Sequence, residues 1–368
     1  MKNYTLNECL SLLQQHGRTR LDNDSLFFNW TLSGFTVRFT GKTLRAQIRS
    51  IPVKDINDPT GQNLEYSWIG VVAPDGETLT NRQHCLEATD WYTVWEADEP
   101  GDYTVRVVKL SENARGKTGL IALETDGELL PVEVKTRKTM EIIGDSITCG
   151  YGNETDKPDA PFTTGTENGW IAYGALAARE LDMDLQLVCV SGIGVTAGTR
   201  NFTFPGYHPM EGAYQYTDKY YDSVTEQPLQ EWDFAGHPMD IVVVNLGTND
   251  SNPIRFNPDL EGGMVEEEFF RTHYRSFIEQ IREKNGPKTL ICCTLGTMDY
   301  YLYNEIEKIV AAYQQETGDQ MIACFKYRPI NMMMEGHASA MHPSAKTHVR
   351  MGKELVWNLK KLMAEKGI

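Results

Sequence analysis

The chain has 368 residues, 40% of them apolar and 23% charged, and its 35 Lys and Arg against 51 Asp and Glu give a formal net charge of -16. That length and composition predict a globular protein of two ordinary-sized domains, with no low-complexity tract that would stay disordered. The acidic balance argues against a nucleic acid or an anionic membrane as partner, since either needs a basic footprint.

The first residues, "MKNYTLNECLSLLQQHGRTR", contain no uninterrupted apolar core of a signal peptide, and no later apolar run is long enough to span a bilayer. As written, the chain is expected to be cytoplasmic; a secreted form whose signal had been removed would read the same way. Seven cysteines form no CxxC pair, and Cys189, Cys292 and Cys293 lie in strand-like apolar runs. Buried free thiols are expected, not a zinc or disulfide framework.

From about residue 24 to 135 the pattern is that of short strands: "SLFFNWTL", "FTVRFTG", "TLRAQIRS", "EYSWIGVV", "WYTVWEA", "DYTVRVVKL", "TGLIALET" and "ELLPVEVK". Pro74-Asp75-Gly76 and Asp126-Gly127 supply turn chemistry between them. Such a series predicts a jelly-roll β-sandwich, forming an N-terminal domain over residues 1–137. No flexible Gly/Ser linker marks its end, so it is expected to buttress its neighbour more than to act as a tethered module.

After Lys138 the period changes. Fully apolar runs, "MEIIG", "LQLVCVSG", "DIVVVNLG", "TLICCTLG" and "MIACFKY", alternate with helical stretches, "GWIAYGALAARELD", "MVEEEFFRTHYRSFIEQIREKNG", "YNEIEKIVAAYQQETGD" and "AKTHVRMGKELVWNLKKLMAEKG". Alternation of this kind predicts a three-layer α/β domain with a parallel sheet over residues 138–368. Ligands bind such sheets beyond the carboxyl ends of the strands. The polar residues fall there: Gly144-Asp145-Ser146, Ser191-Gly192-Ile193-Gly194, Gly247-Thr248-Asn249-Asp250 and Gly296-Thr297, with His342-Pro343 ahead of the last helix.

Taken singly, each has a plainer reading: Ser146 as a helix cap, Gly192 as a turn glycine, Asn249 as a turn residue. Together they are the parts of acyl transfer. A serine hydroxyl attacks a carbonyl only if a neutral imidazole accepts its proton, and the imidazolium then protonates the leaving alcohol. The oxyanion needs donors fixed beforehand, here the backbone N–H groups of Ser146 and Gly192 and the Asn249 amide. Gly194 is the rival donor, and His337 and His348 are the rivals of His342. Asp145 is expected to hold structure by hydrogen bonding.

"GDSITCGYGNE" with "SGIG", "GTND" and "HPS" resembles the SGNH (GDSL) hydrolase superfamily, and the opening motif is similar to carbohydrate esterase family 2. The resemblance covers most of the chain, since those enzymes also carry a jelly-roll domain ahead of the SGNH domain. It implies Ser146 as nucleophile, His342 as base, Ser146, Gly192 and Asn249 as the oxyanion hole, and no metal or organic cofactor. The implied substrate is an acetylated oligosaccharide from xylan, mannan or glucomannan. An SGNH esterase for lipid, thioester or peptidoglycan acetyl groups and a non-catalytic carbohydrate-binding relative are the alternatives. One position departs from the pattern: three residues before His342, where the superfamily places Asp, stands Ser339. A Ser-His dyad is therefore expected, the ring oriented by a backbone carbonyl or another acceptor, with Glu335 the nearest upstream acid. Tyr300, Tyr301 and Trp170 are the aromatic residues placed to stack on sugar, and Asn201–Trp232 is expected to form a loop and helix near the cleft.

Overall fold

The computed structural model describes every residue except 56–57, 59, 61, 197–207 and 257–262. The chain forms two compact units: Met1–Thr136 with Thr163–Trp170, and Arg137–Phe162 with Ile171–Ile368. A single cut near residue 138 misses the excursion Thr163–Trp170. It bonds within the first unit, where Gly169 N–H donates to the Leu110 carbonyl (3.2 Å), Glu167 accepts from Glu112 N–H (2.8 Å) and the Trp68 indole donates to Thr164 (3.2 Å).

The first unit is β-rich, as expected, with ten strands in one antiparallel sheet. Two of its strands are longer than the sequence predicts. "FTVRFTG" and "TLRAQIRS" are halves of one strand, Gly34–Ile51, and "WYTVWEA" and "DYTVRVVKL" are halves of its partner, Thr89–Lys109. Along the first, Phe35, Val37 and Phe39 are buried, and then Leu44, Ala46 and Ile48. The inward parity shifts by one residue between them, which in a sequence looks like one strand ending and another beginning. Gly41, at φ 115°, takes up the shift, the Asp126 carboxylate accepts from the N–H groups of Lys42 (2.9 Å) and Thr43 (3.0 Å), and the partner strand slips register between Glu96 and Gly101. At the other extreme, "ELLPVEVK" contributes only Leu129–Leu130 to the sheet, because Pro131 has no N–H to pair.

The second unit holds a five-stranded parallel sheet in the order Met183–Cys189, Lys138–Gly144, Ile241–Asn245, Leu290–Leu295, Ile322–Lys326. All five apolar runs are strands. Ile142, Val243, Cys292 and their neighbours are fully buried, each aliphatic side chain contributing roughly 1.5–3 kcal/mol. Helices Gly263–Asn285, Tyr303–Thr317 and Ala345–Lys366 match expectation, the first stopping at Gly286 (φ 83°). The expected helix from Gly169 starts later: Gly169–Ile171 is a 3₁₀ turn, and the helix proper is Tyr173–Leu181. Thr248–Phe256 is a helix that periodicity did not reveal. Of Asn201–Trp232, residues 201–207 lie outside the described residues, and the remainder includes short helices at Met210–Ala213 and Lys219–Thr225. No helix among the described residues is long and apolar enough to cross a membrane.

In this strand order the chain begins inside the sheet, moves to one edge and returns past its start to the other. The topological switch therefore falls between Lys138–Gly144 and Ile241–Asn245, and it is beyond the carboxyl ends at such a point that ligands bind in open parallel sheets.

Candidate active site

Gly144 and Asn245 are register partners at the ends of the two central strands. The chain leaves Gly144 through Asp145, extended at φ -111°, and enters the one-turn helix Ser146–Cys149. Asp145 is the cap of that helix, its carboxylate accepting from Ile147 N–H at 3.0 Å. This is the structural role expected of it. Ser146 is thus the first helical residue, 7% exposed, and its Oγ lies 2.8 Å from His342 Nε2. Serine and histidine are 196 positions apart in the chain and meet only in the fold, His342 lying on the loop ahead of the final helix, which packs on Tyr173–Leu181.

The other imidazole nitrogen settles what the missing Asp left open. His342 Nδ1 lies 3.1 Å from the carbonyl of Ala340, two residues back. A carbonyl can only accept, so Nδ1 carries the proton and Nε2 is left as the acceptor for the serine hydroxyl. The carbonyl reaches the ring through two consecutive left-handed residues, Ala340 at φ 49° and Met341 at φ 63°. Non-glycine residues held there are strained, a cost of order 1–3 kcal/mol each that the surroundings must offset. Those surroundings are a compact loop: His342 N–H donates to the Ser339 carbonyl (3.1 Å), Ala338 N–H donates to the His342 carbonyl (2.8 Å), and Ser344 Oγ donates to the Glu335 carbonyl (2.7 Å). Ser339 is fully buried and its hydroxyl donates to the Ala160 carbonyl at 2.6 Å, not to the imidazole.

Asn249 lies in the first turn of Thr248–Phe256 and is 9% exposed. Its Nδ2 donates to the Ile193 carbonyl at 2.9 Å and has Asp145 Oδ2 only at a long 3.4 Å, so one of its two protons is poorly held. Neither Ser146 N–H nor Gly192 N–H donates to any described residue. Gly192 has φ 77°, a conformation open to glycine at little cost. Two unused backbone donors and a half-used amide thus follow adjacent strand ends, the kind of donor set that an oxyanion requires.

Residues 142–350 match the GDSL-like Lipase/Acylhydrolase family, and residues 15–132 match Carbohydrate esterase 2 N-terminal. The chain belongs to the GDSL-like lipase/acylhydrolase family. It is 29% identical over 260 residues to the cellulase/esterase CelE of Acetivibrio thermocellus, covering 68% of this chain but only 29% of that protein's length. It is 25% identical over 357 residues to an acetylxylan esterase / glucomannan deacetylase of Cellvibrio japonicus, covering 95% of this chain and 89% of the relative. The fold is shared with a family two carbohydrate esterase from Clostridium thermocellum solved in complex with cellohexaose, at TM-score 0.81 and 23% identity, over 96% of this chain and 99% of that one.

Within this GDSL-family site several residues had no sequence signal of their own. Asp250, 2% exposed, accepts from Val195 N–H (3.0 Å), Thr196 N–H (3.0 Å) and Thr196 Oγ1 (2.9 Å), bracing the loop that carries Gly192. In sequence it is only the last residue of the strand-end group Gly247-Thr248-Asn249-Asp250, with nothing to show which chain it braces. Tyr151 lies against the imidazole, centroids 4.4 Å apart, and is itself stacked on Phe162 at 3.9 Å. Glu335 does not reach His342. Its carboxylate accepts from Arg350 Nε (2.6 Å), Asn331 N–H (3.0 Å) and Thr347 Oγ1 (3.2 Å). Burial alone would raise its pKa, but the Arg350 guanidinium and the Asn331 N–H hold it below the ordinary glutamate range.

The rival histidines are placed elsewhere. His348 is fully buried on the last helix, its Nδ1 accepting from Tyr173 N–H at 3.2 Å, and burial pulls its pKa down to about 3. His337 pairs its backbone with Pro343. Two of the three aromatic residues assigned to sugar stacking are corrected to packing positions. Trp170 is 7% exposed in the first unit with its indole donating to the Glu77 carbonyl, and the Tyr300 hydroxyl donates to the Tyr327 carbonyl at 2.8 Å while its ring covers Gly296. Tyr301 is 43% exposed, with the Arg255 guanidinium over its ring at 5.3 Å and its hydroxyl donating to Glu267.

Proposed function

We propose that this chain is a serine esterase that removes O-acetyl groups from oligosaccharides of xylan, mannan or glucomannan. The observation that carries the reading is the Ser146 Oγ–His342 Nε2 contact of 2.8 Å with the Ala340 carbonyl on the opposite nitrogen. Ser146 attacks the acetyl carbonyl as His342 Nε2 takes its proton. The oxyanion is held by Ser146 N–H, Gly192 N–H and the Asn249 amide. Collapse breaks the bond to the sugar oxygen, which leaves as the hydroxyl by taking the proton from His342, and Ser146 remains acetylated. Water, deprotonated by the same imidazole, then releases acetate.

The sugar part of the reading is supported by the deacetylase relative that spans nearly the whole chain and by the shared fold with a carbohydrate esterase solved in complex with cellohexaose. The test is acetate release from acetylated xylo- and manno-oligosaccharides, followed by NMR, for the native protein and Ser146→Ala. A loss of at least about a thousandfold in kcat is expected for the variant. Equal slow hydrolysis by both proteins would overturn the assignment.

A further inference from the structure

The surface charge of the second unit is uneven in a way that the acetyl-transfer site does not use. In a chain with 51 acidic residues against 35 basic ones, five cations, Lys326, Arg328, Lys346, Arg350 and Lys353, line one groove of about 640 Å³. The groove runs between the end of the edge strand Ile322–Lys326 and the outer face of the helix Ala345–Lys366. Positions 346, 350, 354 and 358 form one row along that helix and 346, 349, 353 and 357 the next, so the lining is a single continuous face.

The only carboxylate in the lining is Glu354, and it is already engaged by the guanidinium groups of Arg328 and Arg350. Lys346 and Lys353 are exposed and have no ion-pair partner among the described residues. Between them and the helix end lies Trp357, 65% exposed, the indole the protein leaves most open to water among its large exposed apolar side chains. The Lys361 ammonium lies over one side of the indole, 5.8 Å from its centre, and the exposed remainder of the ring beside the unpaired Lys346 and Lys353 suits a sugar ring that stacks on the indole and carries a carboxylate.

The groove also adjoins the catalytic loop. Lys346 is four residues beyond His342, so their backbones are within about 14 Å. Arg350 reaches from the groove to Thr297 Oγ1 (3.1 Å) and to Glu335, whose carbonyl anchors the Ser344 end of the histidine loop.

We propose that this groove binds the uronate unit of an acidic oligosaccharide, Trp357 stacking on the ring and Lys346 and Lys353 neutralising its carboxylate. The inference rests on the esterase reading and narrows its substrate class to acetylated glycans that also carry uronic acid.

The test uses non-acetylated oligosaccharides in the Ser146→Ala background, so it reads binding without chemistry. Calorimetric titration with a glucuronate-bearing xylotetraose and with neutral xylotetraose compares the parent, Lys346→Glu/Lys353→Glu and Trp357→Ala. The acidic sugar is expected to bind on the order of tenfold more tightly than the neutral one, with the preference shrinking in added salt. The double charge reversal should abolish the preference, and Trp357→Ala should weaken the acidic sugar on the order of fivefold. All three positions are exposed, and circular dichroism checks that the variants fold. Equal affinity for the two sugars, or an unchanged preference in the double variant, overturns the inference, as does binding of anionic vesicles or an acidic peptide in place of the sugar. Failure of acetate release by the native protein would instead overturn the esterase reading and leave this binding result standing.

Discussion

Ser339 stands where the superfamily's acid would be, and the geometry around it makes a sharp prediction for Ser339→Ala. The hydroxyl donates to the Ala160 carbonyl at 2.6 Å in a fully buried site, while the Nδ1 proton of His342 goes to the Ala340 carbonyl. Deleting it removes one neutral hydrogen bond, worth about 1 kcal/mol net, or up to about 3 kcal/mol if the Ala160 carbonyl is left without a partner. In a unit of this size each kcal/mol lowers Tm by about 2–4 °C, so a fall of roughly 2–12 °C is expected by calorimetry. The imidazole loses no partner, and kcat/KM for acetate release should stay within about threefold of the native value. A loss above about tenfold, equivalent to about 1.4 kcal/mol of barrier, at unchanged Tm would show that Ser339 orients His342 and refute the reasoning. Ser339→Asp should not rebuild a triad: a carboxylate there would be buried against the Ala160 carbonyl, costing several kcal/mol, and the protein should be severely destabilised with no gain in rate.

The other predictions concern the oxyanion pocket, the loop and pH. Asn249→Ala is expected to lower kcat about 10²- to 10³-fold with little change in KM, measured by steady-state acetate release; an effect confined to KM would remove Asn249 from the oxyanion hole. At Gly152, φ 60°, a Cβ would fall 2.5 Å from Ser339 Cβ. Gly152→Ala should therefore push the histidine loop away and cost activity well beyond any change in Tm, whereas full activity would show that the loop can yield. Burial holds the folded pKa of His348 at about 3, against about 6.5 in an unfolded chain. Below pH 6.5 the unfolded state takes up a proton that the folded state refuses, so this residue removes stability as pH falls towards 3, by up to about 1.4 kcal/mol per pH unit. Urea unfolding at pH 7 and pH 5 should show a difference about 2 kcal/mol smaller in His348→Gln than in the native protein; equal differences would exclude the residue as a source of acid sensitivity.

Much of the second unit was legible because its signals are local. Each buried parallel strand is an unbroken apolar run, each long helix carries its own period and glycine stop, and the polar residues that matter directly follow those runs. Ser146, Gly192 and Asn249 are candidates legible from the chain for that reason, and His342 from the His-Pro pair ahead of the last helix. The first unit was less legible where pattern and geometry part: the parity shift between Phe39 and Leu44 split one bent strand into two, and Thr163–Trp170 looked like catalytic-domain chain until its partners in the first unit were seen.

What the sequence determines alone is therefore the inventory and its order: which strands form, which residues terminate them, and that an acid is missing before His342. What only the tertiary structure decides is who meets whom. The Ala340 carbonyl becomes the partner of His342 through two left-handed residues that no composition signals, and Glu335, the obvious substitute acid, is drawn away to Arg350. Trp170 is buried and Trp357 exposed, although both are tryptophans beside helical periods. The physical reason is common to all of these: periodicity and turn chemistry act over a few residues, whereas orientation, burial and charge pairing depend on groups brought together from distant parts of the chain.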